Sequence, residues 1–523
     1  MAERTETSRY PKPASLPSRI ADLLGSHPEL PPDHPALIDA SGLWTYTELE
    51  QAVRQTRTWL AASGVRAGDR VMIVSENCRA FAALAFAISS LDAWPVPVNA
   101  RISAREIDEI RDHCDPRRIV YLTALSQRAK QHVERRGAQI VDIPPLGSLG
   151  ISPLNEHAIP EKTEAAGADQ VALLLYTSGT SGRPKGVMLT HANVLFIAAA
   201  ASQIRSLTPK DRIYGVLPMS HVVGFSANLL STLLRGATLF ISSRFDPVAV
   251  QRDIEEHQLT VMLGVPSMFA LLAEYARLKG ITSFNFPSLR IISCSGAPLH
   301  RSLKEEVEGL FGMTLCHSYG LTECSPTVAQ VRLDAPRRDT SVGPPLPGVE
   351  VKLVDPSGQC VPDGEVGELW TRGPNLMKGY YRAPEETAAA VNADGWFNTR
   401  DLAQLRGGNL FIVGRTKEMI VRFGFNVYPA EVENVLDAHP AVARSAVLGR
   451  AEQGTQGGEE VIAFVQLKDH EQATLAELSA HATRHLAPYK VPSQLILIRE
   501  MPLTSTGKIR KDQLASLAAK PPS

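Results

Sequence analysis

Short apolar runs alternate with helix-length segments over most of the first 340 residues. The runs at 171–175, 213–217, 238–242, 261–265 and 289–293 are rich in branched aliphatic residues and end in or near Gly, Pro or Ser. Runs of this kind suit strands buried on both faces, as in a parallel sheet covered by helical crossovers. They predict a large α/β unit with mostly parallel sheets flanked by helices. Thr47-x-x-Glu50 and Ser103-x-x-Glu106 read as capping boxes, which satisfy the free N–H groups of a first helical turn. After about residue 340 the texture changes. Segments 349–354, 367–370 and 410–413 read as strands joined by Gly/Pro turns, a β-rich subdomain. A last α+β unit begins near Arg415. It carries a helix from about Ala430, strands at 442–448, 461–467 and 494–498, and a helix capped by Thr474-x-x-Glu477. The expected fold class is therefore α/β and α+β multidomain. An N-terminal domain covers 1–414, with its β-rich part at about 340–414, and a small C-terminal domain covers 415–523. Residues 1–30 are rich in Pro and Ser and are expected to start loosely.

Composition removes several function classes. Of 523 residues, 54 are Lys or Arg and 55 are Asp or Glu, a net charge of −1. That balance argues against nucleic acid as the main partner, which favours a basic surface. The six cysteines form no C-x-x-C pair and read as thiols in a reducing compartment. The N-terminus has no apolar signal-peptide core, and no apolar run reaches the roughly 20 residues of a membrane span. The run 194–201 predicts a core helix. A cytoplasmic protein without a membrane span, monomer or homodimer, is the expectation.

The string YTSGTSGRPKG at 176–186 follows an apolar strand signal. Gly179, Gly182 and Gly186 let the backbone bend and approach a ligand closely. Thr177, Ser178, Thr180 and Ser181 supply hydroxyl donors and Lys185 a cation, a combination that suits a phosphate cradle. Gly186 follows Lys185, so the hydroxyl that holds Mg²⁺ in a Walker loop is missing. A second string, HSYGLTE at 317–323, carries its own chemistry. Tyr319 offers a flat face to an adenine. Gly320 permits close approach of a ligand, Thr322 can donate to a phosphate or acyl oxygen, and Glu323 is a hard oxygen ligand for Mg²⁺.

These strings resemble the signatures of the adenylate-forming (AMP-binding) superfamily: acyl-CoA synthetases, peptide-synthetase adenylation domains and luciferases. The resemblance runs in order from about Trp44 to Arg510, nearly the whole chain. It implies the same roles for Tyr319, Gly320, Thr322 and Glu323, with Ser318 in the same nucleotide-binding motif. Ser295-Gly296-Ala297-Pro298 resembles the segment whose backbone lines the adenine and acyl pockets. GWFNTRD at 395–401 resembles G-W-x-x-T-G-D, so Asp401 is implied as the acceptor for ribose hydroxyls. Arg400 stands where the family has glycine. Arg415 resembles the ribose-binding arginine, Lys417 stands at the hinge, and Gly424 belongs to a turn that helps line the thiol channel after the small domain rotates. Val421 replaces a lysine found in some members, so no role transfers there. Lys508 matches the catalytic lysine. The chemistry needs such a cation: two anions 4 Å apart repel by about 4 kcal/mol at an effective dielectric near 20.

The resemblance implies an ATP-dependent acid–CoA ligase with ATP, Mg²⁺ and coenzyme A, and a C-terminal domain that is mobile. LPMSHVVGF at 217–225 resembles the acyl-site segment, giving His221, Val222, Val223 and Phe225, with Ser295 and Tyr319, as candidate substrate contacts. The acid is expected to be aromatic or a medium- to long-chain fatty acid. No arginine is placed obviously for a second carboxylate, which disfavours malonate-like diacids, and no nearby Asp suits an amino acid. Loading of a separate carrier protein and a catalytically silent binding protein are the alternatives. The joint presence of Lys185, Thr322, Glu323, Asp401, Arg415 and Lys508 argues against the silent one.

Overall fold

The computed structural model describes residues 16–178, 184–422, 425–451, 459–469, 471–504 and 509–518. Its largest sheet has eight strands. Leu315–Gly320, Ile291–Cys294, Val261–Gly264, Arg212–Gly215, Thr238–Ile241 and Pro35–Asp39 lie parallel and in that order. Antiparallel Thr327–Gln330 and Gly42–Thr45 close its two edges. Val261–Gly264 and Ile291–Cys294 are buried throughout, as the unbroken apolar runs require. Helices Pro247–His257, Pro266–Lys279 and Arg301–Phe311 follow successive strands of this sheet. A second sheet has Trp94–Asn99, Arg70–Ser75 and Arg118–Leu122 parallel, with antiparallel Gly147–Ile151 and Gln139–Ile143 beyond them. The helix His191–Ile204 is buried along most of its length, including the expected core run 194–201. A helix apolar all round belongs inside a protein.

The β-rich part is a four-stranded antiparallel sheet, Glu350–Val354, Val366–Arg372, Phe397–Arg406 and Asn409–Arg415. Beyond it, Val442–Ala451, Glu459–Leu467 and Gln494–Leu497 form a sheet with helices Pro429–Asp437, Leu475–His485 and Lys511–Ala518 around it. Val432, Leu436, Val447, Val461 and Leu478 fill a core of their own there. Among the described residues, no helix is long and apolar enough to cross a membrane.

Three local expectations change. Val171–Ser178 is not a parallel crossover strand. It pairs antiparallel with Pro184–Thr190, which in turn pairs with Gly379–Tyr380. The second strand escaped the pattern because it opens with Pro184, Lys185 and Gly186, residues that break an apolar run. The first capping box forms at Thr45 and Glu48, two residues early: Thr45 N–H donates to Glu48 Oε2 at 2.8 Å, and Glu48 N–H to Thr45 Oγ1 at 3.1 Å. That start turns Tyr46 and Leu49 into the core. The boxes at Ser103 and Thr474 form as expected. Finally, the chain is not loose up to residue 30. Ile20–Gly25 makes a 3₁₀ turn that buries Ile20, Leu23 and Leu24, held by Arg19 against Asp92 at 2.8 Å.

Candidate active site

The carboxyl ends of the parallel strands carry the glycine- and serine-rich segments, the edge where open α/β sheets bind ligands. Tyr319 and Gly320 end the strand Leu315–Gly320, and Thr322–Cys324 makes a 3₁₀ turn directly after it. A Cβ on Gly320 would lie 1.9 Å from the Pro326 carbonyl oxygen, so only glycine fits this return of the chain.

At one side of this strand, three separate motifs meet. Asp401 and Arg415 face each other across neighbouring antiparallel strands, with Arg415 Nε 3.0 Å from Asp401 Oδ1. The Tyr319 phenol donates to Asp401 Oδ2 at 2.5 Å, which anchors the end of the side chain. Burial, and then the Asp401 charge, push the Tyr319 phenol well above its ordinary value, so it stays a donor. Arg400 has φ +60°, the left-handed region that favours glycine. Its side chain is exposed and 3.9 Å from Glu368.

The following turn carries a second cluster. Glu323 Oε1 accepts from the Tyr380 hydroxyl at 2.9 Å. Lys185 pairs with Glu386 and lies 5.2 Å from the centre of the Tyr380 ring. Tyr380 thus joins the lysine of the glycine-rich string to the candidate metal carboxylate. Mg²⁺ keeps several waters and takes only one or two protein carboxylates. Glu323 fits that role, and among the described residues no group of three or more His, Cys, Asp and Glu forms a closed metal cage. Thr177 lies opposite Lys185 in the hairpin register, and Ser178 ends its strand. Gly179, Thr180, Ser181, Gly182, Gly424 and Lys508 lie outside the described residues. Just past Lys508, Lys511 is 3.1 Å from Glu418 and 3.0 Å from Glu433.

Ser295-Gly296-Ala297-Pro298 leaves the strand Ile291–Cys294, with Ser295 N–H donating to the Gly264 carbonyl at 3.2 Å. His221 precedes the π-helix Val223–Leu230 and accepts from Val223 N–H at Nδ1, 3.4 Å away. Val222 is buried, and Phe225 is buried edge-on against Phe81, with ring centres 6.4 Å apart. A narrow cavity is lined instead by Val223 and Ala227, with Gly264, Ser295, Ser318 and Arg205. The wide π-turn puts 223 and 227, four apart, on one face. Val222 and Phe225 are buried in the core, while Val223, the third of the apolar residues expected here, lines the cavity together with Ala227.

Sequence reasoning also missed Tyr380 and Arg205. Tyr380 sits in KGYY at 378–381, a glycine followed by paired aromatics beside a turn. Arg205 closes the apolar helix His191–Ile204. A lone cation at the end of an apolar helix was the available signal.

The family model described as AMP-binding enzyme matches residues 26–381, and its C-terminal domain matches 431–508. The chain belongs to the AMP-binding enzymes, in the acyl-CoA synthetase type of the adenylate-forming superfamily. It is 34% identical over 472 residues to a feruloyl-CoA synthase from an Amycolatopsis species, covering 90% of this chain and 93% of that protein. ATP-bound MatB from Rhodopseudomonas palustris is similar at a TM-score of 0.83 and 28% identity, covering 95% of this chain and 98% of the other. The o-succinylbenzoate CoA synthetase MenE from Bacillus subtilis, in complex with its acyl-adenylate, is similar at a TM-score of 0.80 and 30% identity, over 94% and 97% of the two chains.

Proposed function

We propose that this protein is an ATP-dependent carboxylic acid–CoA ligase working through an acyl-adenylate. The observation that carries the reading is the pairing of two clusters about one strand end. Tyr319, Asp401 and Arg415 suit an adenosine, while Glu323, Tyr380 and Lys185 suit a phosphate chain with its metal. Mg²⁺ bound at Glu323 would supply charge neutralisation for the departing pyrophosphate.

Asp401 accepts from the ribose hydroxyls, and the Tyr319 ring, held by its hydroxyl, stacks on adenine. Thr322 donates to an α-phosphate or acyl oxygen. Lys185 moves from Glu386 to the terminal phosphates. A carboxylate oxygen of the acid then attacks the α-phosphorus, the bond to pyrophosphate breaks, and Lys508 bridges the two repelling anions. In the second step the CoA thiolate attacks the acyl carbonyl and AMP leaves with the bonding electron pair. A hinge at Lys417, with 1–414 and 415–523 as the two bodies, would carry Lys508 away and bring the Gly424 turn in between the steps. The substrate is an acid with an apolar body, aromatic or medium- to long-chain aliphatic, in keeping with the Val223 and Ala227 wall and the feruloyl relative.

The test is pyrophosphate release that depends on an added acid, followed by CoA-dependent thioester formation, over benzoates, hydroxycinnamates and fatty acids. Adenylate formation with no thioester would overturn CoA as the acceptor. Release with no acid dependence would overturn the adenylation step itself.

A further inference from the structure

Arg205 is a poorly satisfied charged group in the interior. Its residue is only 5% exposed. Nη1 donates to the Ala227 carbonyl, and the buried Nε has no hydrogen-bond partner. Among the described residues no carboxylate compensates it, and burial alone pulls its pKa down to about 10, still charged at neutral pH. Arg70, which is fully buried, shows what a structural role demands. It donates through Nε to Cys114, through Nη1 to Ile159 and Gly68, and through Nη2 to Asp115, all backbone carbonyls within 3.2 Å. Two carboxylates, on Asp115 and Glu161, lie 3.9 and 4.0 Å away.

An interior cation without an anion is costly, and removing the penalty needs a partner of opposite charge with matching hydrogen-bond geometry. Arg205 lines the narrow cavity behind Ser295 and Ser318, between the π-helix wall and Gly264. That space holds about one water-sized group, room for one oxygen at the tip of a substrate rather than for its body. A guanidinium presents planar donors that match a carboxylate.

We infer that Arg205 is a specificity residue that binds a second carboxylate, at the far end of the acid substrate. The substrate class is then a dicarboxylic acid with an apolar body, activated at one end and anchored at the other. This deepens the ligase reading and rests on it. It departs from the expectation from sequence, which found no arginine for a second carboxylate and disfavoured malonate-like diacids, because helix His191–Ile204 delivers the arginine from outside every acyl-site motif.

The experiment compares α,ω-dicarboxylic acids with monocarboxylic acids of the same length, using the full chain and acid-dependent pyrophosphate release. The wild type is expected to prefer a diacid. In Arg205→Met the ratio of kcat/KM for diacid over monoacid should fall by about 10²-fold, as when one partner of a buried charge pair is truncated. Arg205→Lys should recover part of it. Equal loss for both acids would mean that Arg205 holds the fold or the reacting carboxylate, and would overturn the inference. So would a wild type that prefers monoacids with a ratio unmoved by Arg205→Met. A thermal shift of the wild type by the diacid, absent with the matched monoacid, reads the same contact without activity and without a variant that must fold; no difference between the two acids there would also count against it. If wild type releases no pyrophosphate with any acid, the ligase reading fails instead, and the thermal shift still decides whether Arg205 takes a carboxylate.

Discussion

Ser318 and Tyr319 are neighbours on one strand, and they face two regions built on opposite principles. Successive strand residues point to opposite sides. Tyr319 reaches Asp401, which also holds Arg415, so that region's charges already answer one another. Ser318 lines the cavity of Arg205, where a buried cation has one carbonyl and an unpartnered Nε. The nucleotide side is organised before ligand arrives, because every substrate of such an enzyme brings the same nucleotide. On the proposed reading the acyl side leaves a contact for the substrate to complete, and selectivity between acids is expected there.

The sharpest way to break this comparison is to remove the cation proposed to bridge the two reacting anions. Lys508→Ala should lower adenylation by about 10²–10³, the range seen when one preorganised stabilising donor is lost. Thioester formation from supplied acyl-AMP should stay largely intact. Equal loss in both half-reactions would mean that Lys508 serves the fold or both steps, and the division of labour would fall.

His317, two residues before Tyr319, tests how strongly the shared strand depends on being dry. Burial pulls its pKa down to about 4 from 6.5. The unfolded chain therefore binds more protons than the folded one between those values, and stability falls as pH drops through that window. The loss approaches about 3 kcal/mol by pH 4. Urea midpoints measured from pH 7 to pH 4 should fall steeply in wild type and less steeply in His317→Gln. An identical slope would place the acid sensitivity elsewhere.

Asp401→Ala should separate the two sides. Arg415 and Tyr319 lose their common acceptor, and the KM for ATP should rise by about 10- to 10²-fold, as for hydrogen bonds to a charged group. The preference among acids should not move. A change in acid preference of similar size would show the two regions to be one.

How much of this was legible beforehand follows the same divide. The nucleotide side is built from short local strings, and their chemistry is carried by residue types: glycines, hydroxyls, a carboxylate at a turn. Asp401 and Arg415 could be named because each sits in such a string. That they share Tyr319 was not readable, since a register between strands joins them. The parallel strands at 213–217, 238–242, 261–265 and 289–293 were readable because burial on both faces leaves unbroken apolar runs. The strand Pro184–Thr190 was not, because Pro184, Lys185 and Gly186 break that signal. The acyl side was the hard part. Phe225 was named by the resemblance of its segment, which does not show that its ring packs on Phe81. Arg205 reaches the cavity from the end of a helix that no motif marks.

Tyr380→Phe makes a smaller change, at the edge of the nucleotide side. It deletes the hydroxyl that donates to Glu323 and leaves the ring beside Lys185. The loss should be about 1 kcal/mol, roughly fivefold in kcat/KM for ATP. It should appear as a higher magnesium requirement. An unchanged magnesium dependence would mean that the hydroxyl does not orient the metal carboxylate.

The smallest effect is expected at Arg400, where the nucleotide side carries strain of its own. A non-glycine residue in the left-handed region costs about 1–2 kcal/mol. At φ +60° Arg400 bears that cost one residue before Asp401. Its return is slight: the side chain is 66% exposed and its nearest acid, Glu368, is 3.9 Å away, a geometry worth little in water. Its backbone N–H donates to Asn398 Oδ1 at 2.8 Å, a bond that glycine would keep. Glycine also loses more conformational freedom on folding, which takes back part of the gain. Arg400→Gly should therefore raise stability by about 0.5–1 kcal/mol, read as a higher denaturant midpoint at unchanged slope. The KM for ATP should hold, because the Asp401 backbone keeps its register with Arg415. A lower midpoint would show that the Glu368 pair outweighs the strain. A higher KM for ATP would show that the strained backbone itself aims Asp401 at the ribose, and the nucleotide side would then depend on stored strain as well as on pairing.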